Sequence, residues 1–418
     1  MDHPVAEDLI INTSKNSNIE VGGDSSSIVS QQFVKELRAD LLRHFEALQL
    51  PALNGGPDEK LSKETIRASH AHQRGDVFQR EYKVLAPYWD RLLNQFANGD
   101  EVIPNAIDPE LILVSSDHET GRIFRFASLL WSVPVSHGYG RRMRFLVRDR
   151  SNNKLIGIFA LGDPVFNLKC RDHWIGWNVN DRRARLVNVM DAYVLGAVPP
   201  YNQLLGGKLI ASLIGSREVS QLFSDRYGSS QGIISNEKKS ARLVLVTVTS
   251  ALGRSSLYNR LTLVQNTRTL VQYQHIGETQ GFGHFQISDS LFERIRFMLA
   301  LENHPYASGN RFGEGPNWRL RVTRVGLTRL GLDGGLVRHG IHRQVYALPL
   351  VPNFREYLCG VPPENSFDRP QISEIASAAL NRWILPRATR CPEFTNFRRD
   401  DLLPNLELGE SPAAINAN

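Results

Sequence analysis

Apolar residues fall into two rhythms along this chain. In residues 31–50, Phe33, Val34, Leu37, Leu41, Leu42, Phe45 and Leu48 recur every three to four positions, the spacing of one face of an amphipathic helix. Pro51 and the run Asn54-Gly55-Gly56-Pro57 end it. A second helical stretch over residues 62–97 is expected to break at Gly75, bend at Pro87 and stop near Gly99. The rhythm then shortens. Residues 111–114 read as a short strand, and residues 145–147 are the apolar centre of a longer one. Ser151-Asn152-Asn153 supplies turn chemistry, and residues 154–161 (KLIGIFAL) return as the second strand of a hairpin.

The stretch that organises the rest is residues 191–214. Its apolar run at 192–198 has strand length. A Pro-Pro-Tyr-Asn turn follows, and then Leu204, Leu205, Leu209, Ile210, Leu213 and Ile214 repeat at helical spacing. A buried strand feeding a turn and a helix is half of a crossover unit, so a mixed α/β domain is predicted. Short helices are expected at residues 181–186 and 215–227, a polar loop at 228–237, and the strongest strand at 241–250 (ARLVLVTVTS). Beyond lie a turn and short helix bearing Tyr258, and a strand at 271–276. A helix at 290–301, a basic amphipathic stretch at 318–330, a strand at 344–351 and a helix at 372–385 complete the pattern. The chain thus divides into a polar, disordered segment (1–30), a helical N-terminal region (31–100), an α/β core (101–290), an α/β C-terminal extension (291–403) and a frayed tail (404–418).

Composition narrows the class. The 418 residues are 41% hydrophobic and 22% charged, as in ordinary globular proteins, and 49 Lys and Arg exceed 43 Asp and Glu. The excess permits a polyanionic partner without requiring one. Cys170, Cys359 and Cys391 are far apart and odd in number, so neither a disulfide framework nor a metal spacing emerges. No apolar run reaches the roughly 18 residues of a membrane span, and no signal pattern opens the chain. A cytoplasmic protein with no membrane contact is expected.

Candidate chemistry lies in five places. The first backbone N–H groups of the helix after residue 205 form a potential anion site, with Gly206 and Gly207 permitting close approach; the glycines equally suit helix–sheet packing. The segment HGYGRRMRFLVRDR places Arg142, Arg144, Arg148 and Arg150 at one strand parity, with Arg141 beside them. Such a face suits phosphates or a subunit contact between copies of this chain. Arg319, Arg321, Arg324 and Arg329 form a second basic stretch. Asp172 and His173, next to Trp174 and Trp177, are polar enough for acid–base work or for a structural role. The glycine-rich turn GETQGFGHFQI carries Glu278, Thr279, Gln280 and His284, and suits a pocket lining or an ordinary bend.

The order hairpin, strand–turn–helix, strong strand, Tyr258 segment, final strand resembles the GCN5-related N-acetyltransferase fold over residues 120–290. That resemblance implies a mixed central sheet flanked by helices. It also implies a pyrophosphate turn of pattern Gln/Arg-x-x-Gly-x-Gly/Ala at Gln203, Gly206, Gly207 and Lys208, where a lysine stands in place of the small last residue. It implies acyl-CoA as the cofactor and Tyr258 as the proton donor to the departing thiolate. Asp172, His173 and Glu278 are the candidate bases, by polarity alone. At whole-chain level, WSVPVSHGYGRRMRFLV, RDHWIGWN, VMDAYVLGAVPPYNQLLGGKLIAS, HIGETQGFGH and RQVYALPLVPNFREYLCG resemble the Druantia anti-phage system protein A family. This likeness implies a bacterial defence or mobile-element setting, with a helicase-like protein encoded nearby, and it supplies no chemistry. Two main expectations follow. One is a DNA-binding defence component that needs no cofactor and uses Arg141, Arg142, Arg144, Arg148, Arg319, Arg321 and Arg324. The other is an acyl-CoA-dependent N-acyltransferase. A protein–protein adaptor is a third.

Overall fold

The computed structural model describes residues 25–47, 62–115, 118–136, 138, 140–231, 238–279, 287–309, 316–337, 341–361 and 368–402. Seven strands form one sheet: β1 (Pro109–Leu113), β2 (Arg142–Asp149), β3 (Lys154–Gly162), β4 (Val189–Ala197), β5 (Leu245–Thr249), β6 (Gln274–Glu278) and β7 (Gln344–Pro349). Their spatial order is β1-β2-β3-β4-β5-β7-β6. Every neighbouring pair is antiparallel except β4 and β5, which run parallel for only three residues, Val189, Met190 and Asp191 opposite Leu245, Val246 and Thr247. A parallel pair needs a crossover. The predicted strand–turn–helix supplies it, and the two strands part beyond Asp191.

The helices that build the layers are α1 (Ser25–Ala47), α2 (Ala71–Leu85), α3 (His118–Leu129), α4 (Gly206–Leu213), α5 (Arg217–Tyr227), α6 (Asp289–Leu301), α7 (Pro316–Arg329) and α8 (Ile372–Ala379). β3 is apolar at nearly every position because both of its faces are covered, which explains the unbroken run KLIGIFAL. On one face, Met143, Phe145, Val147 and Phe159 pack with Leu209, Ile210 and Leu213 of α4, Phe223 of α5 and Ile375 of α8. On the other, Leu146, Ile158, Ala160 and Val194 meet Phe124, Phe126 and Leu130 of the α3 layer, with Leu85, Leu92 and Phe96 closing over them. A separate cluster joins Leu37, Leu41 and Phe45 of α1 to Ile295, Met298, Trp318 and Val322 of α6 and α7. So the two helical stretches of residues 31–100 go to different neighbours, one to the α6–α7 pair and the other to the sheet.

Several local expectations change. α1 begins at Ser25, inside the segment expected to be disordered; residues 1–24 and 403–418 lie outside the described residues. The second helical stretch breaks at buried His70, while Gly75 sits inside α2 with open space around it. The segment carrying Tyr258 is a run of turns, not a helix: Gly253 and Arg260 both have φ above +60°, and Ser255 Oγ accepts from the amides of Leu257 and Tyr258 at 3.1 and 3.2 Å. The strand expected at 271–276 is split at Tyr273. Its amide donates to Leu261 O at 2.9 Å and its hydroxyl to Ala211 O at 2.8 Å. The residues before it, Arg268–Gln272, pair in a hairpin with Thr262–Gln265, and those after it form β6. The strand at 241–250 shortens to β5 because Asn188 takes the preceding backbone: its side-chain oxygen accepts from Arg242 N and its carbonyl from Val244 N. The polar loop at 228–237 begins and ends in short paired strands, Ser229–Gln231 and Lys238–Ser240. α3 and the helix Lys169–Ile175 have no counterpart in the apolar reading. Among the described residues no helix is long and apolar enough to cross a membrane.

Candidate functional site

The turn before α4 is wound tightly. The amides of Asn202, Gln203, Leu204, Leu205, Gly206 and Lys208 all donate to backbone carbonyls within residues 198–205. Leu205 adopts φ +61°. Gly206 is required by packing, because a Cβ there would lie 2.6 Å from the Tyr201 carbonyl oxygen; Gly207 makes only ordinary contact, with Leu257. Most of the amides that an anion would need are therefore already bonded within the turn. Tyr201 fixes the turn from beneath. Its buried hydroxyl donates to Asp149 at 2.9 Å and accepts from Asn152 at 2.8 Å, tying the crossover to the β2–β3 turn. Burial and the Asp149 charge push that phenol upwards.

Cations gather around the same turn from a part of the chain that the reading of the sequence left without a role. α8 continues through a π-helical turn, Leu380–Ile384, into a further helix, Leu385–Arg390. Arg387 Nε donates to the Gln203 carbonyl at 3.1 Å. Lys208 Nζ lies 5.4 Å from the centre of the Trp383 ring, and the Arg382 guanidinium lies over the same ring at 5.9 Å. Burial, and then repulsion from Arg382, lower the Lys208 ammonium from its ordinary value. Among the described residues no carboxylate pairs with Lys208, Arg382, Arg387 or Arg390, and Arg382 and Arg390 are exposed.

The hairpin arginines have a different setting. Arg141 is 14% exposed and holds Asp163 at 2.8 Å and the Val187 carbonyl at 2.7 Å. Arg150 lies beyond the end of β2 and grips Asp108 with two bonds of 2.8 Å. Arg148 bonds Asn153 and Gln95 at 3.3 and 3.5 Å. Arg142, Arg144 and Arg148 do keep one parity, but it is the parity of Leu146, the face α3 covers. Arg144 consequently lies over the Phe124 ring, at 5.6 Å. Arg142 remains exposed. In α7, Arg319 is spent on Asp289 at 2.8 Å and the Ile287 carbonyl at 3.0 Å, whereas Arg321 and Arg324 face solvent.

The candidate acid–base residues do not converge. Asp172 accepts from Arg171 Nη2 and Arg182 Nη1, both at 2.6 Å, and Arg171 is fully buried with further bonds to Val165 and Phe166 carbonyls. That ion-pair set anchors the helix Lys169–Ile175. His173 is exposed on it. Glu278 lies at the end of β6 and accepts from Gln344 Nε2 at 3.5 Å; Gln344 Oε1 in turn accepts from Tyr346 at 2.6 Å. Tyr258 is 8% exposed, with the rings of Tyr273 and Tyr346 at 5.6 and 5.4 Å. So Glu278 and Tyr258 share Tyr346 as a neighbour, while Asp172 and His173 lie on a different element. Gln280 and His284 fall outside the described residues.

One acid was not singled out from the sequence. Asp191 sits at the last paired position before β4 and β5 separate, and accepts from Thr247 Oγ1 at 2.7 Å. Burial pushes its carboxyl up to about 6, against the Thr247 bond and the Arg171 charge. Burial and then the Asp191 charge raise Tyr258. An aspartate inside a strand run carries no local signal of this; only the parting of two strands far apart in sequence creates it.

The architecture is that of a mixed α/β protein with a cationic surface at its crossover that pairs with no carboxylate among the described residues. The family model described as Druantia protein DruA matches residues 60–360. The Druantia protein DruA of Escherichia coli (strain UMEA 4076-1) is 48% identical over 343 residues, which span 82% of this chain and 84% of that protein. The chain belongs to the Druantia protein DruA family. No solved structure matches it.

Proposed function

We propose that this protein is the nucleic-acid-binding component of a bacterial anti-phage defence system, acting on DNA together with a helicase-type partner. The family membership supports the defence setting. The observation that carries the binding reading is the cluster of Lys208 and Arg382 at the Trp383 ring with Arg387 on the Gln203 carbonyl of the same turn, cations that pair with no carboxylate among the described residues. Unpaired cations on a surface lower their mutual repulsion by meeting phosphates and releasing counterions. In this reading the sheet is an acetyltransferase-like scaffold. Hairpin, strand–turn–helix and strand follow one another as in that likeness, without its tyrosine-bearing helix, and fold alone does not fix chemistry. Arg142, Arg321 and Arg324 extend the contact with phosphates. The test is fluorescence anisotropy of the full chain with labelled duplex and single-stranded DNA across a salt series. Binding that weakens steeply with salt, and weakens further in Lys208→Gln/Arg382→Gln/Arg387→Gln, is the expected result. No binding at about 50 mM salt, or binding indifferent to the triple substitution, refutes the reading.

A second reading, acyl-CoA-dependent N-acyl transfer, is favoured by one observation: Asp191, with its raised carboxyl, stands where β4 and β5 part and acts electrostatically on Tyr258. Asp191 would serve as base and Tyr258 as acid, each typically worth about 10²- to 10⁴-fold. The internally bonded turn at Gln203, Gly206 and Gly207 weighs against a pyrophosphate there. Calorimetry with CoA and acetyl-CoA separates the two, since the first reading expects no heat.

A further inference from the structure

On the sheet face opposite α4, a cavity of about 250 Å³ opens between α2, α3 and the residues that follow α3. Two chemistries line it. Phe78, Phe124, Trp131 and Tyr193 give flat apolar walls, and Arg74, Arg125 and Arg144 give three guanidinium groups against a single carboxylate, Glu81. That carboxylate is already occupied: Arg125 holds it at 2.6 Å, and Arg80 lies 3.8 Å from its other oxygen. Arg144 has no carboxylate partner among the described residues and lies over the Phe124 ring. Burial lowers the Arg74 guanidinium from its ordinary value.

The cavity is built rather than left over. Trp131 can lie flat on β4 because residue 196 is glycine; a Cβ there would be 2.7 Å from its indole ring. Gly138, at φ +64°, brings its backbone onto the Tyr193 ring at a distance no side chain tolerates. The Tyr193 hydroxyl is buried and has no hydrogen-bond partner among the described residues. A buried hydroxyl without a partner is costly, so its persistence points to a group that completes it.

We propose that this cavity binds a single nucleotide, the base between the aromatic walls and the phosphate on Arg144 and Arg74. Stacking on aromatic rings suits any base, and guanidinium groups suit phosphate. The volume of about 250 Å³, just under the roughly 300–1,000 Å³ typical of small-ligand pockets, matches the scale of one nucleotide unit better than that of a longer ligand. The unit comes either from free nucleotides or from a strand end.

Isothermal titration of the full chain with the four deoxynucleoside 5′-monophosphates tests the assignment, with inorganic phosphate and the free nucleosides as controls. Saturable binding is expected, weakened at least tenfold by Arg144→Gln and about threefold by Tyr193→Phe, with the thermal unfolding of the free protein lowered by neither. A 5′-phosphorylated trinucleotide binding at least as tightly as the monophosphate assigns the site to strand ends; weaker binding assigns it to free nucleotides. No heat with any monophosphate, phosphate alone binding as tightly, or Arg144→Gln without effect overturns the proposal. The triple substitution at Lys208, Arg382 and Arg387 lies on the other sheet face, so failure of that surface to bind DNA leaves this result unaffected.

Discussion

The β2–β3 hairpin and the surface around Lys208 are both rich in cations, and they differ in what those cations do. The hairpin has the densest run of arginines in the chain, yet Arg141 and Arg150 are committed to Asp163 and Asp108, and Arg144 is turned beneath α3. The Lys208 surface draws single cations from positions nearly 180 residues apart and leaves them without acids among the described residues. Charge density along a chain thus says little about charge available to a partner. What counts is whether folding has already neutralised it.

The contrast predicts which substitutions unfold the protein and which silence it. Arg171, fully buried and bonded to Asp172 and two carbonyls, is the most committed arginine. Arg171→Ala is expected to cost about 3–5 kcal/mol, measured by chemical denaturation, because it strands Asp172 and the carbonyls. A loss below about 1 kcal/mol would mean that burial does not commit a cation here. At the other pole, Lys208→Gln/Arg382→Gln/Arg387→Gln is expected to lower duplex affinity about 100-fold near 0.1 M salt and to flatten the salt slope by roughly 3, at about 0.9 per lost phosphate contact. Its unfolding midpoint should move little. An unchanged slope would erase the distinction between the two surfaces.

Asp191 extends the comparison to acids. Its carboxyl is raised from 3.8 to about 6, so between those pH values the folded chain binds more protons than the unfolded one. Stability contributed by this group is present in acid, falls as pH rises through that window and stays lost above it. Asp191→Asn, which retains a side-chain oxygen able to accept from Thr247, is expected to stabilise the protein by about 2 kcal/mol above pH 6 and to be neutral near pH 4. Thermal unfolding at the two pH values reads this directly. An equal effect at both would show that the carboxyl is not raised. The smallest effect belongs to Arg150→Gln. Its bridge to Asp108 joins side chains 59% and 49% exposed, so less than about 1 kcal/mol should be lost and DNA affinity should hold within about twofold.

How much was legible follows the range of the interactions. The hairpin, the crossover at 191–214 and the helices α5, α6 and α8 were readable because periodicity and turn residues act over a few positions. The Tyr258 segment was misread as a helix because its conformation rests on two residues at positive φ and on a Ser255 cap, which apolar spacing does not report. α3 escaped notice because its buried face, Ile123, Phe124, Phe126 and Ala127, faces a sheet assembled from elsewhere. Lys208 was visible as an oddity in a glycine turn, but Arg382 and Arg387 were not, since nothing near them in sequence marks them.

By itself, then, the sequence determined the β2–β3 hairpin, the strand–turn–helix crossover and several of the helices, all consequences of local sterics and burial. Tertiary structure decided which cations are already met by carboxylates, where the Asp191 carboxyl is raised, and which aromatic rings line a cavity. Those properties depend on distances between groups remote in the chain, and electrostatic and desolvation energies are set by those distances rather than by sequence separation.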